Sequence, residues 1–168
     1  KYDVIVEGSD SFSTKYLAND AAVLTNKPLV FGSIFKFEGQ VSVFNYKNGP
    51  TYHCLYPDPV SEAEMPTCSE VGVLGILPGI IGMFQANEVL KIILDLGNVL
   101  SGKLLIYNSL EASQTLLPFA KNEAIKITEL NELDLSCTIP SIPQIDYSAY
   151  AEAKEIYFLV DVREQEER

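Results

Sequence analysis

The 168-residue sequence has no tryptophan, one histidine, three cysteines, and only 12 basic residues against 23 acidic ones. Its net charge of −11 and pI near 4.4 argue against nucleic acid or an anionic membrane surface as a partner, since both require a basic face. The cysteines, at positions 54, 68 and 137, form no disulfide framework, which favours a reducing cytoplasm. No apolar run reaches about 18 residues without a charge, which argues against a membrane span.

Several common site motifs are also missing. The sequence contains no G-x-G-x-x-G, no P-loop lysine motif and no G-x-S-x-G. A nicotinamide-dependent oxidoreductase is therefore disfavoured. The pair His53-Cys54 is a poor metal site, because zinc normally takes four ligands, often from C-x₂-C pairs.

The residues that are present predict a folded chain with a change in character near residue 121. Hydrophobic residues make up 47% and mean hydropathy is +0.10, so a packed core is expected. Residues 1–121 carry eight basic and twelve acidic side chains, whereas residues 122–168 carry four and eleven. This shift in charge indicates a domain boundary near 121.

The pattern of residues 1–121 predicts an α/β fold with a mixed sheet. A helix over 13–26 between two short apolar strands is typical of a parallel strand–helix–strand unit. Alternating and turn-separated segments further along then predict antiparallel strands. A strongly apolar helix over 79–96, closed by Gly97, should be buried in the core or at a subunit contact. The predicted strands are 3–7, 28–33, 37–45, 103–108 and 114–119.

Two residues are candidates for a role in binding or catalysis. Asp10 follows the first strand, at the edge of an open α/β sheet where ligands bind, and its carboxylate could hold Mg²⁺ and position a nucleotide phosphate. Alternatively, Asp10 only caps the following helix. Cys68 would open a helix whose dipole favours a nucleophilic thiolate. Alternatively, Cys68 is a small core residue, since its neighbours are acidic.

Four stretches in order resemble one known family: residues 10–19 (DSFSTKYLAN), 37–44 (FEGQVSVF), 54–57 (CLYP) and 68–75 (CSEVGVLG). The last continues into residues 78–82 and the pair Gln85-Ala86. Together, over residues 1–120, they resemble the carboxyl-terminal half of the MoeB/ThiF/HesA family, the ubiquitin-activating-enzyme-like adenylyltransferases. Residues 159–164 (LVDVRE) resemble the opening of a rhodanese domain.

The resemblance implies an organisation and an activity. Residues 1–121 would be the MoeB/ThiF-like half-domain of Rossmann type, 122–145 a linker, and 146–168 a truncated rhodanese-like start. The intact enzyme would be a cytoplasmic homodimer that uses ATP and Mg²⁺ to adenylate the C-terminal glycine of a MoaD- or ThiS-like sulfur carrier. That reaction serves sulfur transfer in molybdopterin, thiamin or thiolation pathways. By resemblance Asp10 is the metal- and ATP-site aspartate, and Cys68 is the candidate for thioester or acyl-disulfide chemistry.

The sequence also departs from the family pattern. Ser11 and Lys15 stand where the family usually has asparagine and arginine. By resemblance Lys15 is a cofactor-binding residue, which keeps the positive charge of arginine but lacks its planar guanidinium group. Only Cys54 remains of the two C-x₂-C pairs that hold structural zinc in many members, which predicts no zinc site. The family's Gly-rich phosphate loop lies in the amino-terminal half, so the chain is expected to be a fragment that is inactive alone. The alternative is a non-catalytic partner-binding or dimerisation module of the same fold.

Overall fold

The structure is a computed structural model that describes residues 2–58, 72–130, and Asp146, Tyr150 and Ile156. The chain divides into two compact units, Lys1–Leu135 and Ser136–Arg168. In the second unit the backbone N–H of Tyr150 donates to the carbonyl of Asp146 at 3.0 Å, as in one helical turn. Most of the predicted linker and of the rhodanese-like start lies outside the described residues, and the domain boundaries stay predictions.

The first unit is built on a five-stranded mixed sheet, which confirms the predicted fold class. Strand order follows the chain, with β1 parallel to β2 and every later neighbour antiparallel. The short helix α2 is Tyr52–Leu55. The other elements, in chain order, are β1 Ile5–Glu7, α1 Phe12–Leu24, β2 Leu29–Phe35, β3 Glu38–Phe44, α3 Leu77–Leu94, β4 Lys103–Asn108 and β5 Ser113–Pro118.

Alternation along the strands divides the core into two layers. One set of strand residues packs with α1 and α2, in a cluster that includes Tyr16, Phe31 and Tyr52. The other set packs with α3, in a cluster that includes Val41 and Ile81. The sheet therefore carries helices on both faces.

Helix α3 differs from its prediction in bounds and in burial. It runs from Leu77 to Leu94 and ends at Asp95, which adopts a left-handed conformation (φ 50°), so Gly97 follows the cap and does not form it. One face packs on the sheet through Leu77 and Ile81, whereas Met83 on the opposite face is 72% exposed. Burial in the core therefore holds for one face only.

Among the described residues, α3 is also long and apolar enough to cross a membrane when length and composition alone are counted. Its contacts with β2 and β3 are those of a helix covering a sheet.

Candidate functional site

The candidate site lies at the carboxyl end of β1, in residues 8–10, here called the β1 loop. Asp10 is exposed at the tip of this loop. The N-cap of α1 is Ser11, whose side-chain oxygen accepts from the backbone N–H of Thr14 at 3.2 Å. Because Ser11 supplies the cap, Asp10 is not needed for it, and its carboxylate is a suitable oxygen ligand for Mg²⁺ at the sheet edge where ligands bind.

A buried ion pair lies directly beneath the β1 loop. The ammonium of Lys15 lies 3.5 Å from Oε2 of Glu7, and each side chain is only 4% exposed. Lys15 Nζ also donates to the carbonyl oxygen of Ser9. Glu7 Oε1 accepts from the backbone N–H of Ser9 at 2.6 Å and from the Ser9 hydroxyl. The structure thus places Lys15 inside the fold, bound to the backbone of the loop that carries Asp10.

Gln85 of α3 reaches the same region from the other face of the sheet. Its side-chain N–H₂ donates to the carbonyl of Glu7 at 2.6 Å and to that of Val30 at 3.3 Å. A Cβ on Gly32 would lie 2.5 Å from the Gln85 side chain, so a residue with a side chain at this position of β2 would clash with Gln85. Glycine at this position therefore makes room for the amide that links α3 to β1.

Sequence reasoning missed Glu7 as a site residue. It noted Gln85 as part of the resemblance and as a polar residue of the apolar helix, but gave it no role in a site. Each is a polar residue in a predominantly apolar segment, and both are buried. Buried polar groups need partners, so an isolated acid or amide within an apolar run is the signal that could have found them.

Cys68, the predicted nucleophile, lies outside the described residues, and so does Cys137. The role of Cys68 therefore stays a prediction.

The thiol of Cys54 contacts backbone donors. Its Sγ accepts from the backbone N–H groups of Thr51 and Asn122, both at 3.4 Å. No cluster of three or more histidine, cysteine or acidic residues that could hold a metal occurs in the described part of the chain. The thiol joins the α2 turn to the segment after β5 by hydrogen bonds, at the position where the family resemblance would place zinc ligands.

We expect this junction to be independent of metal. Cys54→Ala should lower the free energy of unfolding by about 1 kcal/mol, because two backbone donors lose their acceptor. Cys54→Ser retains an acceptor and should cost less. A chelator should leave the melting temperature unchanged. Stoichiometric zinc by elemental analysis, or a melting temperature that falls with chelator, would contradict this account.

A second polar cluster anchors α2 to α1. Asp20 Oδ1 lies 2.9 Å from His53 Nε2 and accepts from the Asn19 amide at 3.0 Å. Asn19 Oδ1 in turn accepts from the backbone N–H of Tyr52 at 2.8 Å. Asn19 and Asp20 are both buried, and these bonds hold the turn that begins α2. The cluster therefore has a structural role.

Comparison with known proteins decides the family. Residues 1–126 match the ThiF family. The chain belongs to the ThiF family. It is 48% identical over 126 residues to a sulfur carrier protein adenylyltransferase of Thermus thermophilus, covering 72% of this chain and 46% of that protein. The resemblance seen in the sequence is thereby confirmed.

Two further similarities bear on organisation and fold. An adenylyltransferase and sulfurtransferase MOCS3 of Culex quinquefasciatus is 36% identical over 186 residues, covering 97% of this chain and 42% of that protein. The crystal structure of Escherichia coli MccB has a TM-score of 0.60 at 15% identity, covering 74% of this chain and 38% of that one, and supports the fold alone. The ThiF-family chain spans less than half the length of these relatives.

Proposed function

We propose that this ThiF-family chain forms part of an adenylyltransferase that activates the C-terminal glycine of a ubiquitin-fold sulfur carrier with ATP. The observation that carries the proposal is the exposed Asp10 at the carboxyl end of β1, with the cap of α1 supplied by Ser11 instead. The name of the Thermus thermophilus relative, a sulfur carrier protein adenylyltransferase, supports this reaction class.

In the proposed reaction an oxygen of the glycine carboxylate attacks the α-phosphorus of ATP. A new O–P bond forms, the bond to the pyrophosphate oxygen breaks, and pyrophosphate leaves. Asp10 would hold the Mg²⁺ that accompanies ATP, and this cation would supply stabilisation of the negative charge that develops on the phosphate oxygens. A sulfur nucleophile at the oxidation level of sulfide then attacks the glycine carbonyl carbon. A C–S bond forms, the bond from that carbon to the AMP oxygen breaks, AMP leaves, and the thiocarboxylate remains.

The nucleotide site is proposed to need residues beyond these 168. A phosphate site is usually built from backbone N–H groups at a glycine-rich helix N-terminus, and the sequence contains no such motif. The relatives are about twice as long as the matched region. Calorimetry on the 168-residue chain should therefore detect no micromolar affinity for ATP, and detection of such affinity would contradict the proposal.

The proposed assembly follows the predicted domains. Residues 1–121 belong to the adenylyltransferase domain, 122–145 form a linker, and 146–168 begin a rhodanese-like domain. The MOCS3 relative, whose printed name includes a sulfurtransferase, aligns with 97% of the chain and supports this order. We further propose a cytoplasmic homodimer that binds no zinc, nucleic acid or membrane.

For Cys68 the proposal is a reactive thiolate that forms a covalent intermediate during sulfur transfer. If so, iodoacetamide should modify Cys68 much faster than Cys137 at neutral pH, as measured by peptide mass spectrometry. Equal rates of modification of Cys68 and Cys137 in the folded chain would contradict the nucleophilic role of Cys68. They would not bear on the proposed adenylylation.

A hybrid enzyme tests the function of this chain, because a relative supplies the residues that the nucleotide site is proposed to need beyond these 168. The aligned stretch of the Thermus thermophilus relative is replaced by the corresponding residues of this chain. The hybrid is expected to catalyse exchange of labelled pyrophosphate into ATP only when a sulfur carrier is present. A folded hybrid without exchange, measured beside an active parent enzyme, would contradict the proposal.

One observation favours the alternative, a partner-binding or dimerisation module. The outer face of α3 exposes Met83, Leu90 and Ile93, and a groove of about 630 Å³ lies along it. The alternative predicts a dimer by light scattering together with an inactive hybrid, whereas the catalytic proposal predicts an active one.

A further inference from the structure

We infer that Glu7, Lys15 and Gln85 are positioning residues that hold the β1 loop so that Asp10 faces its metal and substrate. These three residues are called the loop clamp below. The inference rests on the proposed function for what Asp10 does, but the clamp itself is a feature of this chain. It assigns Lys15 an action through Ser9, and not a direct contact with the nucleotide.

The burial of the ion pair limits what Lys15 can do. Glu7 Oε2 is buried without a hydrogen-bond partner in the described part of the chain, and it faces Lys15 Nζ at 3.5 Å. If the ammonium turned outward to a phosphate, the Glu7 carboxylate would remain in the interior without its counter-ion. Leaving a buried charge without its counter-ion is strongly destabilising. The pair is therefore expected to stay closed while ATP is bound.

The backbone of the loop is held at three successive points. Gln85 binds the carbonyl of Glu7. The carboxylate of Glu7 binds the N–H of Ser9, and Lys15 binds the carbonyl of Ser9. The next residue is Asp10. Because the N–H and the carbonyl of the preceding residue, Ser9, are both bound, Asp10 begins from a defined backbone position, which is what precise placement of a ligand carboxylate requires.

The three clamp residues come from separate elements. Glu7 ends β1, Lys15 lies in α1, and Gln85 lies in α3 on the opposite face of the sheet. The side chain of Gln85 fills the space that a Cβ on Gly32 would need. The loop is thus tied to both helical layers, and its position depends on the packing of the whole sheet.

The first test measures the loop directly in the 168-residue chain. Lys15→Met should speed amide hydrogen exchange at residues 9–11 by about tenfold or more, while β2 and β3 keep their protection. Lys15→Arg should restore protection, because it keeps the charge. The matched control is Lys47→Met, which breaks an exposed ion pair with Asp95 (3.0 Å) and should leave the loop unchanged.

A further variant covers the case in which Lys15→Met unfolds the chain. Glu7→Gln combined with Lys15→Met removes both charges of the buried pair and leaves neither one unpaired, so the fold should persist while exchange at residues 9–11 remains fast. Unchanged exchange at these amides in the double variant, or an equal loss of protection throughout the sheet, would overturn the clamp.

The second test measures the effect on catalysis in the hybrid enzyme. Lys15→Met should raise the Mg²⁺ concentration needed for half-maximal exchange by about 10–100-fold, the usual effect of removing a group that orients a metal ligand. Lys15→Arg should restore it. A raised KM for ATP with an unchanged Mg²⁺ requirement would instead show direct nucleotide contact and overturn the inference. If the unmodified hybrid is inactive the proposed function fails, while the exchange measurement still decides the clamp.

Discussion

Replacing Asp10 by asparagine in the hybrid enzyme is expected to reduce carrier-dependent ATP–pyrophosphate exchange by about a hundredfold or more. The substitution keeps the size of the side chain and removes the negative charge that makes a carboxylate a stronger magnesium ligand than an amide. Asp10 is exposed, so the change is expected to remove the proposed magnesium ligand and to disturb few other contacts. Exchange rates at saturating carrier provide the measurement.

The fold offers a matched control for this substitution. Asp95 is also an exposed aspartate, at the end of α3, and its left-handed conformation (φ 50°) is one that asparagine tolerates. Asp95→Asn should leave exchange unchanged. Because Ser11 caps α1, Asp10→Asn should also change the free energy of unfolding by less than about 0.5 kcal/mol. Retention of more than a tenth of the exchange rate would remove Asp10 from the metal site.

The largest effect on stability is expected at Tyr52. Its ring is only 2% exposed and lies 4.9 Å from the rings of Tyr16 and Tyr56 and 5.4 Å from that of Phe31, between centroids. Tyr52→Ala should therefore lower the free energy of unfolding by about 3–5 kcal/mol, through lost burial and the cavity that remains. That is a large part of the stability of a typical domain, about 5–15 kcal/mol. Urea denaturation measures the change.

Two substitutions separate packing from other effects. Tyr52→Phe keeps the ring and its neighbours, so it should cost less than about 1.5 kcal/mol. Tyr2 is 79% exposed, and Tyr2→Ala should stay within about 0.5 kcal/mol of the parent. A loss below about 1 kcal/mol for Tyr52→Ala would show that the aromatic cluster is not a main part of the core.

Tyr52 matters to the candidate site because it belongs to α2, which packs against α1. Tyr16 lies in α1, and its hydroxyl donates to the carbonyls of Tyr56 and Asp58, at 3.0 and 3.2 Å. Burial raises the pKa of the Tyr16 phenol, so it stays protonated and keeps donating. The aromatic cluster thus fixes α1, which carries both Ser11 and Lys15.

The secondary structure could be predicted from the sequence because it depends on local patterns of residues. Runs of apolar residues, alternation and turn residues predicted all five strands and both long helices, with bounds that differ from the structure by up to two residues. The position of Asp10 after the first strand was also predictable, since it follows from the order of strand and helix, whereas its role in binding metal stays a prediction.

The remaining site features depend on contacts distant in sequence. Gln85 meets Glu7 78 residues away, and no local pattern pairs them. Lys15 was expected to bind cofactor because the family has arginine there, but its burial against Glu7 follows from three-dimensional packing. The exposed face of α3 was unpredictable for the same reason: composition measures how apolar a helix is, but not which of its faces meets the sheet.

The most direct test of the central claim is the mass of the sulfur carrier after incubation with ATP, Mg²⁺ and the hybrid enzyme. The proposed function predicts that the carrier gains the mass of one adenylyl group at its C-terminal glycine, and that Asp10→Asn abolishes the gain while Asp95→Asn preserves it. A folded hybrid that leaves the carrier unmodified, under conditions in which the Thermus thermophilus parent adenylates it, would contradict the account.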